Sequence, residues 1–235
     1  MTAVVMKARL AGWRELAPGV RHFEFEAIDW NAAFVPGQFL SLTAKIGEDE
    51  ITRAYSIASA PSPGSHAFSL CANLVDGGRF SPHLFALESG EEIQFKGPYG
   101  AFIPRRPVSD SIFVATGTGV APFRAMLQTV LAENPERRFE LIFGVRYREG
   151  LLYHDELVAL AAQHANFVYR PTLTRPPEGW TGLTGRVQGH VMASLGDRRD
   201  IDVYICGLKE MVDDLRAQLK AAGLDRKRIV YEKYD

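Results

Sequence analysis

One segment has the residue types that suit phosphate binding, Thr116-Gly117-Thr118-Gly119. It follows an apolar run and precedes Pro122, a residue suited to the first turn of a helix. Glycines let backbone N–H groups approach a phosphate, and a helix N-terminus adds partial positive charge. Because Pro122 stands where the dinucleotide fingerprint has its third glycine, a tight strand-to-helix turn without a ligand is an equal alternative.

Three arginines are predicted to follow strands or loops at the ligand-binding edge of a sheet, and they are Arg146, Arg175 and Arg186. Arg146 comes where an NAD site often has an acidic residue for the ribose 2′-hydroxyl. Guanidinium groups at this edge would instead suit a 2′-phosphate. Each arginine taken alone is better explained as a solvated surface charge.

A second group of ligand-binding residue types stands at the start of a predicted apolar strand, Arg53-Ala54-Tyr55-Ser56. Arginine can bind a phosphate, tyrosine offers a flat face to a ring, and serine offers a hydroxyl to a ring nitrogen. Strand alternation puts Arg53 and Tyr55 on one face and Ser56 on the other, so a bend is needed for all three to reach one ligand. By itself the segment is better explained as a partly exposed strand.

A glycine pair leads into a predicted short helix at Gly77-Gly78-Arg79-Phe80-Ser81. Serine is a favourable N-cap residue, and we predict that Ser81 caps this helix. The same geometry would present free N–H groups to an anion. Capping without a ligand is the slightly favoured alternative.

Short segments of alternating apolar and polar residues fill the chain up to about Pro104. This period of two between Gly and Pro turns predicts antiparallel strands, and their number suggests a barrel or sandwich. The segments are 21–26, 38–43, 66–71 and 92–95, with a short helix at 81–87.

From about Ser111 onward, apolar strands alternate with helices, which predicts an α/β domain with a parallel sheet. The segment Ile103–Pro107 is typical of a linker, so we expect one domain at 1–104 and another at 105–235. Strands are predicted at 112–115, 139–143, 167–172, 203–206 and 229–231, and helices at 121–133, 155–164, 189–195 and 208–222.

Composition excludes several classes of protein. The 235 residues carry a net charge of −1, which argues against nucleic-acid binding through bulk charge. Two cysteines are too few for a disulfide scaffold, a cysteine-rich zinc site or an iron–sulfur cluster. The histidines show no metal-ligand spacing, so we expect no metal, and the chain lacks the Gly-x-Ser-x-Gly turn that a serine hydrolase would need. Without a long apolar run or a signal-peptide pattern at Met1–Lys7, we expect a soluble, cytoplasmic protein with no membrane partner.

Taken together, the motifs resemble those of the ferredoxin–NADP(H) reductase family, whose wider superfamily includes the reductase components of oxygenases. The resemblance covers residues 7–235 and implies an N-terminal antiparallel Greek-key β-barrel that binds FAD. It also implies a C-terminal α/β dinucleotide-binding domain that binds NAD(P)H. The motifs are RAYS at 53–56, GGRFS at 77–81, GPYGAF at 97–102, TGTGVAP at 116–122, CGLKEM at 206–211 and YEKY at 231–234.

The resemblance implies roles for the residues of the barrel. Arg53 would hold a flavin phosphate, Tyr55 would lie against one face of the flavin ring, and Ser56 would hydrogen-bond near flavin N5. Gly78, Phe80 and Ser81 would cradle the FAD pyrophosphate. The further residues that would contact FAD are Ala54, Gly77 and Arg79.

The resemblance also implies roles in the second domain. Cys206 and Gly207 would lie beside the nicotinamide ring, with Cys206 packing there rather than acting as a nucleophile. Glu232 and Tyr234 match the family's C-terminal Glu-x-Tyr, in which the tyrosine covers the other flavin face and must move aside. Asp235 follows, whereas some family members end at the tyrosine. The implied catalytic residues are Ser56, Cys206, Glu232 and Tyr234. The further residues that would hold the nicotinamide dinucleotide are Thr116, Gly117, Thr118, Gly119, Arg146, Arg175 and Arg186.

The implied activity is hydride transfer from NAD(P)H to FAD, followed by single-electron transfer to a separate ferredoxin or flavodoxin. Arg146 and Arg186 favour NADP(H), with NAD(H) as the alternative cofactor. Lys96, Arg105 and Arg106 are candidates for a cationic rim that meets an acidic ferredoxin. An oxygenase reductase component, suggested by GPYGAF, and a flavin-holding redox sensor without turnover are the alternative functions.

Overall fold

The computed structural model describes residues 4–30 and 33–234 of the chain. Asp235, which follows the predicted C-terminal motif, lies outside this range. The first three residues of the N-terminal segment also lie outside it. Two β-sheets of six strands each organise the described residues, one in each half of the chain.

The first half folds as a barrel-like antiparallel sheet with the strand order β4-β3-β6-β1-β2-β5. The predicted alternation is confirmed, because Phe23 and Phe25 point into the core and are at most 1% exposed. A bridge between Ile57 and Leu70 joins the end of β4 to β5 and closes the sheet. The elements are β1 Met6–Ala17, β2 Val20–Ala27, β3 Phe39–Ile46, β4 Asp49–Ser56, β5 Ala67–Asn73, α1 Phe80–Ala86 and β6 Glu92–Tyr99.

The second half is a parallel sheet with the order β10-β9-β8-β7-β11-β12 and helices between its strands, as predicted. Within the described ranges, none of the helices is both long and apolar enough to cross a membrane. The strands are β7 Ser111–Thr116, β8 Phe139–Val145, β9 Phe167–Leu173, β10 Leu183–Thr184, β11 Asp202–Leu208 and β12 Ile229–Tyr234. The helices are α2 Ala121–Glu133, α3 His154–Gln163, α4 Val187–Leu195 and α5 Lys209–Ala221.

The prediction that Arg53-Ala54-Tyr55-Ser56 starts a strand is wrong, because these residues end β4. The strand begins at Asp49, immediately after a tight turn in which Gly47 has φ +65°. Acidic residues are depleted in strands, so the first residues of β4 gave no strand signal. Pairing with β3 over the whole length of β4 outweighs that preference.

The two halves share a buried interface. Phe102, from the first half, packs against Phe123 and Tyr204 of the second, with ring centroids 5.6 and 6.2 Å apart. The guanidinium group of Arg124 donates to the Ala58 carbonyl at 2.7 Å. The backbone N–H of Arg105 donates to the Tyr204 hydroxyl at 2.9 Å. These contacts fix the barrel against the parallel sheet.

Candidate active site between the barrel and the parallel sheet

Three of the four predicted catalytic side chains meet where the barrel contacts the C-terminal strand. Ser56 ends β4, while Glu232 and Tyr234 lie on β12, which pairs in parallel with β11. The Tyr234 hydroxyl donates to Ser56 Oγ at 2.6 Å, and Ser56 Oγ donates to Glu232 Oε1 at 2.9 Å. Residues that are 176 and 178 positions apart in the sequence therefore form one hydrogen-bonded group.

The fourth residue, Cys206, is fully buried in β11 beside this group. Burial raises the pKa of its thiol well above the ordinary value, and the Glu232 carboxylate raises it further. Burial also raises the pKa of the Tyr234 phenol and, with an opposing effect from the Ser56 hydrogen bond, that of Glu232. Since a protonated thiol is a poor nucleophile, this environment suits Cys206 to a packing role.

The predicted phosphate-binding segment connects β7 to α2 through a short 3₁₀ turn, with Pro122 in the first turn of the helix. Gly117 has φ +53° and open space where a side chain would stand. A Cβ atom at Gly119 would overlap the Cys206 carbonyl, and one at Gly207 would overlap Thr116 Oγ1. The glycines therefore let this turn pack on the end of β11 while its outer backbone stays open.

Thr116 Oγ1 is a buried polar atom that has no hydrogen-bond partner among the described residues. Buried hydroxyl groups are nearly always hydrogen-bonded in folded proteins. This one lies at the turn between β7 and α2, beside Gly207. A polar ligand at this position would satisfy it, so the site fits a bound dinucleotide.

The barrel side of the site presents an aromatic ring and a guanidinium group. Tyr55 is half-buried, its ring centroid lies 6.0 Å from that of Phe80, and burial raises its pKa to about 12. Arg53 is exposed and donates to the Thr52 carbonyl at 2.8 Å, which leaves further N–H donors for a phosphate. Both residues fit a ligand with a flat ring and a phosphate.

The loop from Gly77 to Ser81 differs from the prediction at the helix cap. Ser81 is not the N-cap of α1, because Arg79 holds that position and Ser81 Oγ accepts from the Val75 N–H at 2.9 Å. The Arg79 guanidinium is bound to Asp49 at 2.7 Å and to the Ile46 carbonyl at 2.8 Å. Arg79 thus ties the loop to the β3–β4 turn, while Gly77 keeps open space beside it.

The three predicted nucleotide-binding arginines lie at the carboxyl edge of the parallel sheet. Arg146 follows β8, Arg175 follows β9, and Arg186 occupies the N-cap position of α4. All three are exposed. The topology therefore brings together side chains that the sequence places up to 40 residues apart.

Two residues that the sequence analysis missed support these arginines. The Tyr147 hydroxyl accepts a hydrogen bond from Arg175 Nη1 at 2.9 Å. His190 Nε2 donates to the Thr184 carbonyl at 2.8 Å, and thereby supports the turn that carries Arg186. Neither residue belongs to a motif, and the only available signal was the position of Tyr147 directly after Arg146.

Comparison with known proteins gives two matching domain families. The Oxidoreductase FAD-binding domain family matches residues 7–103. The Oxidoreductase NAD-binding domain family matches residues 113–217. Together they span most of the chain, in the order that the resemblance implied.

Individual relatives agree with these matches. Ferredoxin–NADP reductase B of Sorangium cellulosum is 40% identical over 97% of both chains. The toluate 1,2-dioxygenase electron transfer component of Pseudomonas putida is 30% identical, over 98% of this chain and 70% of its own length. The structure of a Neisseria gonorrhoeae ferredoxin NADP⁺ reductase with bound FAD and NADP has a TM-score of 0.84 and 25% identity, covering 97% and 98% of the two chains. The chain therefore belongs to the ferredoxin reductase-like family of FAD-dependent NAD(P)H oxidoreductases.

Proposed function

We propose that the protein is a ferredoxin–NADP(H) reductase that exchanges reducing equivalents between NADP(H) and a separate ferredoxin or flavodoxin. The observation that carries this proposal is the hydrogen-bonded group of Ser56, Glu232 and Tyr234 between the two cofactor domains. The 40% identity to a ferredoxin–NADP reductase over nearly its whole length supports the same assignment.

We assign the FAD contacts to the barrel side of the site. Arg53 would hold a flavin phosphate, Tyr55 would lie against the flavin ring, and the Gly77–Ser81 loop would cradle the pyrophosphate through its backbone. Bound FAD would supply the redox chemistry, exchanging a hydride equivalent with nicotinamide and single electrons with the carrier. The chain itself supplies the orientation and the electrostatic environment.

Tyr234 acts in this proposal as a gate, a side chain that must move before nicotinamide can reach its place. Its hydroxyl is held by Ser56 Oγ, so opening breaks this hydrogen bond and leaves the bond from Ser56 to Glu232 in place. Side-chain displacement of this kind is a common step in substrate binding. Thr116 Oγ1 and the backbone of Gly117 and Gly119 would then hold the dinucleotide.

NADP(H) is the proposed nucleotide because Arg146, Arg175 and Arg186 share one sheet edge. Guanidinium groups bind phosphate in a planar, two-point manner that a ribose hydroxyl cannot match. We place the domain boundary in the linker, between 104 and 105. We also propose a cytoplasmic location, which the unpaired thiols of Cys71 and Cys206 support.

A reductase component of an oxygenase is the second candidate. Two observations favour it, the 30% identity to a dioxygenase electron transfer component and the GPYGAF segment at 97–102. The two candidates differ in the electron acceptor, and Lys96, Arg105 and Arg106 remain proposed contacts for an acidic carrier.

The test is anaerobic stopped-flow of the FAD-loaded protein, mixed separately with NADPH and NADH while flavin absorbance is followed. Fast bleaching by NADPH and slow bleaching by NADH would support the proposal. A second mixing step with ferredoxin, flavodoxin or an oxygenase component then identifies the acceptor by the return of flavin absorbance. A flavin that neither nucleotide reduces would contradict the proposal and favour a redox sensor.

A further inference from the structure

We propose that Tyr147 is a positioning residue that fixes the Arg175 guanidinium for the 2′-phosphate of NADP(H), and thereby sets the preference for NADP(H) over NAD(H). This inference rests on the proposed function, because Arg175 meets a 2′-phosphate only if the nucleotide binds at this sheet edge. It names a residue that no sequence motif identified.

Backbone hydrogen bonds bring the two loops together at this edge. The Thr174 N–H donates to the Val145 carbonyl at 3.1 Å, and the Arg175 N–H donates to the Arg146 carbonyl at 2.9 Å. These bonds extend the pairing of β8 with β9 beyond the ends of both strands. Tyr147 is consequently held beside Arg175 although 28 residues separate them.

The side chains of the pair are in direct contact. Arg175 Nη1 donates to the Tyr147 hydroxyl at 2.9 Å, and the guanidinium carbon lies 5.9 Å from the centre of the tyrosine ring. An exposed arginine without such a partner loses many rotamers when it binds a ligand. Since Tyr147 restricts those rotamers beforehand, less conformational entropy is lost on binding a phosphate.

The contact leaves hydrogen-bond donors available for a phosphate. A guanidinium group has five N–H donors, and the bond to Tyr147 occupies one of them. The tyrosine hydroxyl acts here as an acceptor, so its own O–H is not used in the bond. Because NADH has no 2′-phosphate, the effect of Tyr147 is expected for NADPH and absent for NADH.

The test compares Tyr147→Phe, Arg175→Ala and the double variant with the wild-type holoenzyme. Steady-state kinetics with NADPH and NADH, and inhibition by adenosine 2′,5′-bisphosphate, are measured for each. Tyr147→Phe should raise the KM for NADPH and the inhibition constant by about fivefold, the effect of one hydrogen bond. The kcat and the KM for NADH should stay the same. Adding Tyr147→Phe to Arg175→Ala should cause no further change, because the tyrosine acts through the arginine.

Tyr231→Phe is the matched control, since Tyr231 is 41% exposed, against 42% for Tyr147, and also lies under an arginine. Its hydroxyl has no hydrogen bond within the described part of the chain, so all constants should stay at wild-type values. Suppose that Arg175→Ala raises the KM for NADPH selectively, but Tyr147→Phe leaves both KM values unchanged or raises both equally. The role of Tyr147 is then refuted, while the proposed 2′-phosphate site at Arg175 stands. If Arg175→Ala affects NADPH and NADH alike, the proposed 2′-phosphate site fails, and the inference fails with it.

Discussion

At the scale of single residues, Ser56 decides what the site can offer a ligand. Its hydroxyl has one proton, which it donates to Glu232, so its lone pairs accept from Tyr234. When Tyr234 moves aside, the same lone pairs can accept from another N–H or O–H group. Glu232 therefore orients Ser56 as an acceptor toward the place that Tyr234 leaves.

Replacing Ser56 by alanine tests this orientation. Ser56→Ala should lower the rate of flavin reduction by NADPH by about tenfold or more, because a hydrogen bond in the transition state is lost. Stopped-flow absorbance measures the rate, and flavin content shows whether the cofactor stays bound. Ser62→Ala, in an exposed loop, should keep the wild-type rate. An unchanged rate in Ser56→Ala would exclude a role for this hydroxyl.

The sequence predicts residues of local motifs better than pairs that only the fold creates. Ser56 and Glu232 were identified because each lies in a recognisable motif, but their hydrogen bond needs β12 to reach the barrel. Tyr147 and Arg175 meet because β8 and β9 are neighbours, an order that periodicity does not encode. The guanidinium group of Arg79 likewise binds Asp49 of the β3–β4 turn, a contact between distant residues that no local motif indicates.

At the scale of elements, strands with clean alternation were predicted and irregular ones were missed. The first strand, β1, escaped prediction because bulges between Leu10 and Gly12 and between Glu15 and Ala17 shift its register. The last strand was predicted to end at Tyr231, yet it continues to Tyr234. Parallel pairing with β11 extends as far as Tyr234, and it places Glu232 opposite Cys206.

The packing of the β7–α2 turn on β11 leads to a stability prediction at this scale. Gly119→Ala should lower the free energy of unfolding by about 1–3 kcal/mol, because the added Cβ overlaps the Cys206 carbonyl. Gly189→Ala is the control, since this glycine lies in α4 with open space around it. That change should raise stability by about 0.5–1 kcal/mol. Thermal unfolding measures both, and equal effects would contradict the close packing at Gly119.

At the scale of the whole molecule, the interface between the halves could not be predicted from sequence. His22 of β2 and Tyr153 next to α3 are 131 residues apart, yet His22 Nδ1 and the Tyr153 hydroxyl lie 2.9 Å apart and buried. Tyr153 has φ +57°, a left-handed conformation that is rare for residues other than glycine. Arg124, whose side chain is 15% exposed, contacts the same region and pairs with Glu156 at 2.7 Å.

This interface makes stability depend on pH through His22. Burial, with the charges of Arg124 and Arg14, lowers the pKa of His22 from 6.5 to about 3. The unfolded chain therefore binds a proton at His22 between these values while the folded protein does not. The contribution of His22 to the free energy of unfolding is complete above about pH 6.5, and it falls by up to about 1.4 kcal/mol for each pH unit below that value.

Urea unfolding between pH 7.5 and 5 should show a steeper loss of stability for the wild type than for His22→Gln, whatever the absolute stability of the variant. Parallel pH profiles would mean that His22 takes up its proton equally in the folded protein, and that the domain interface is open to water.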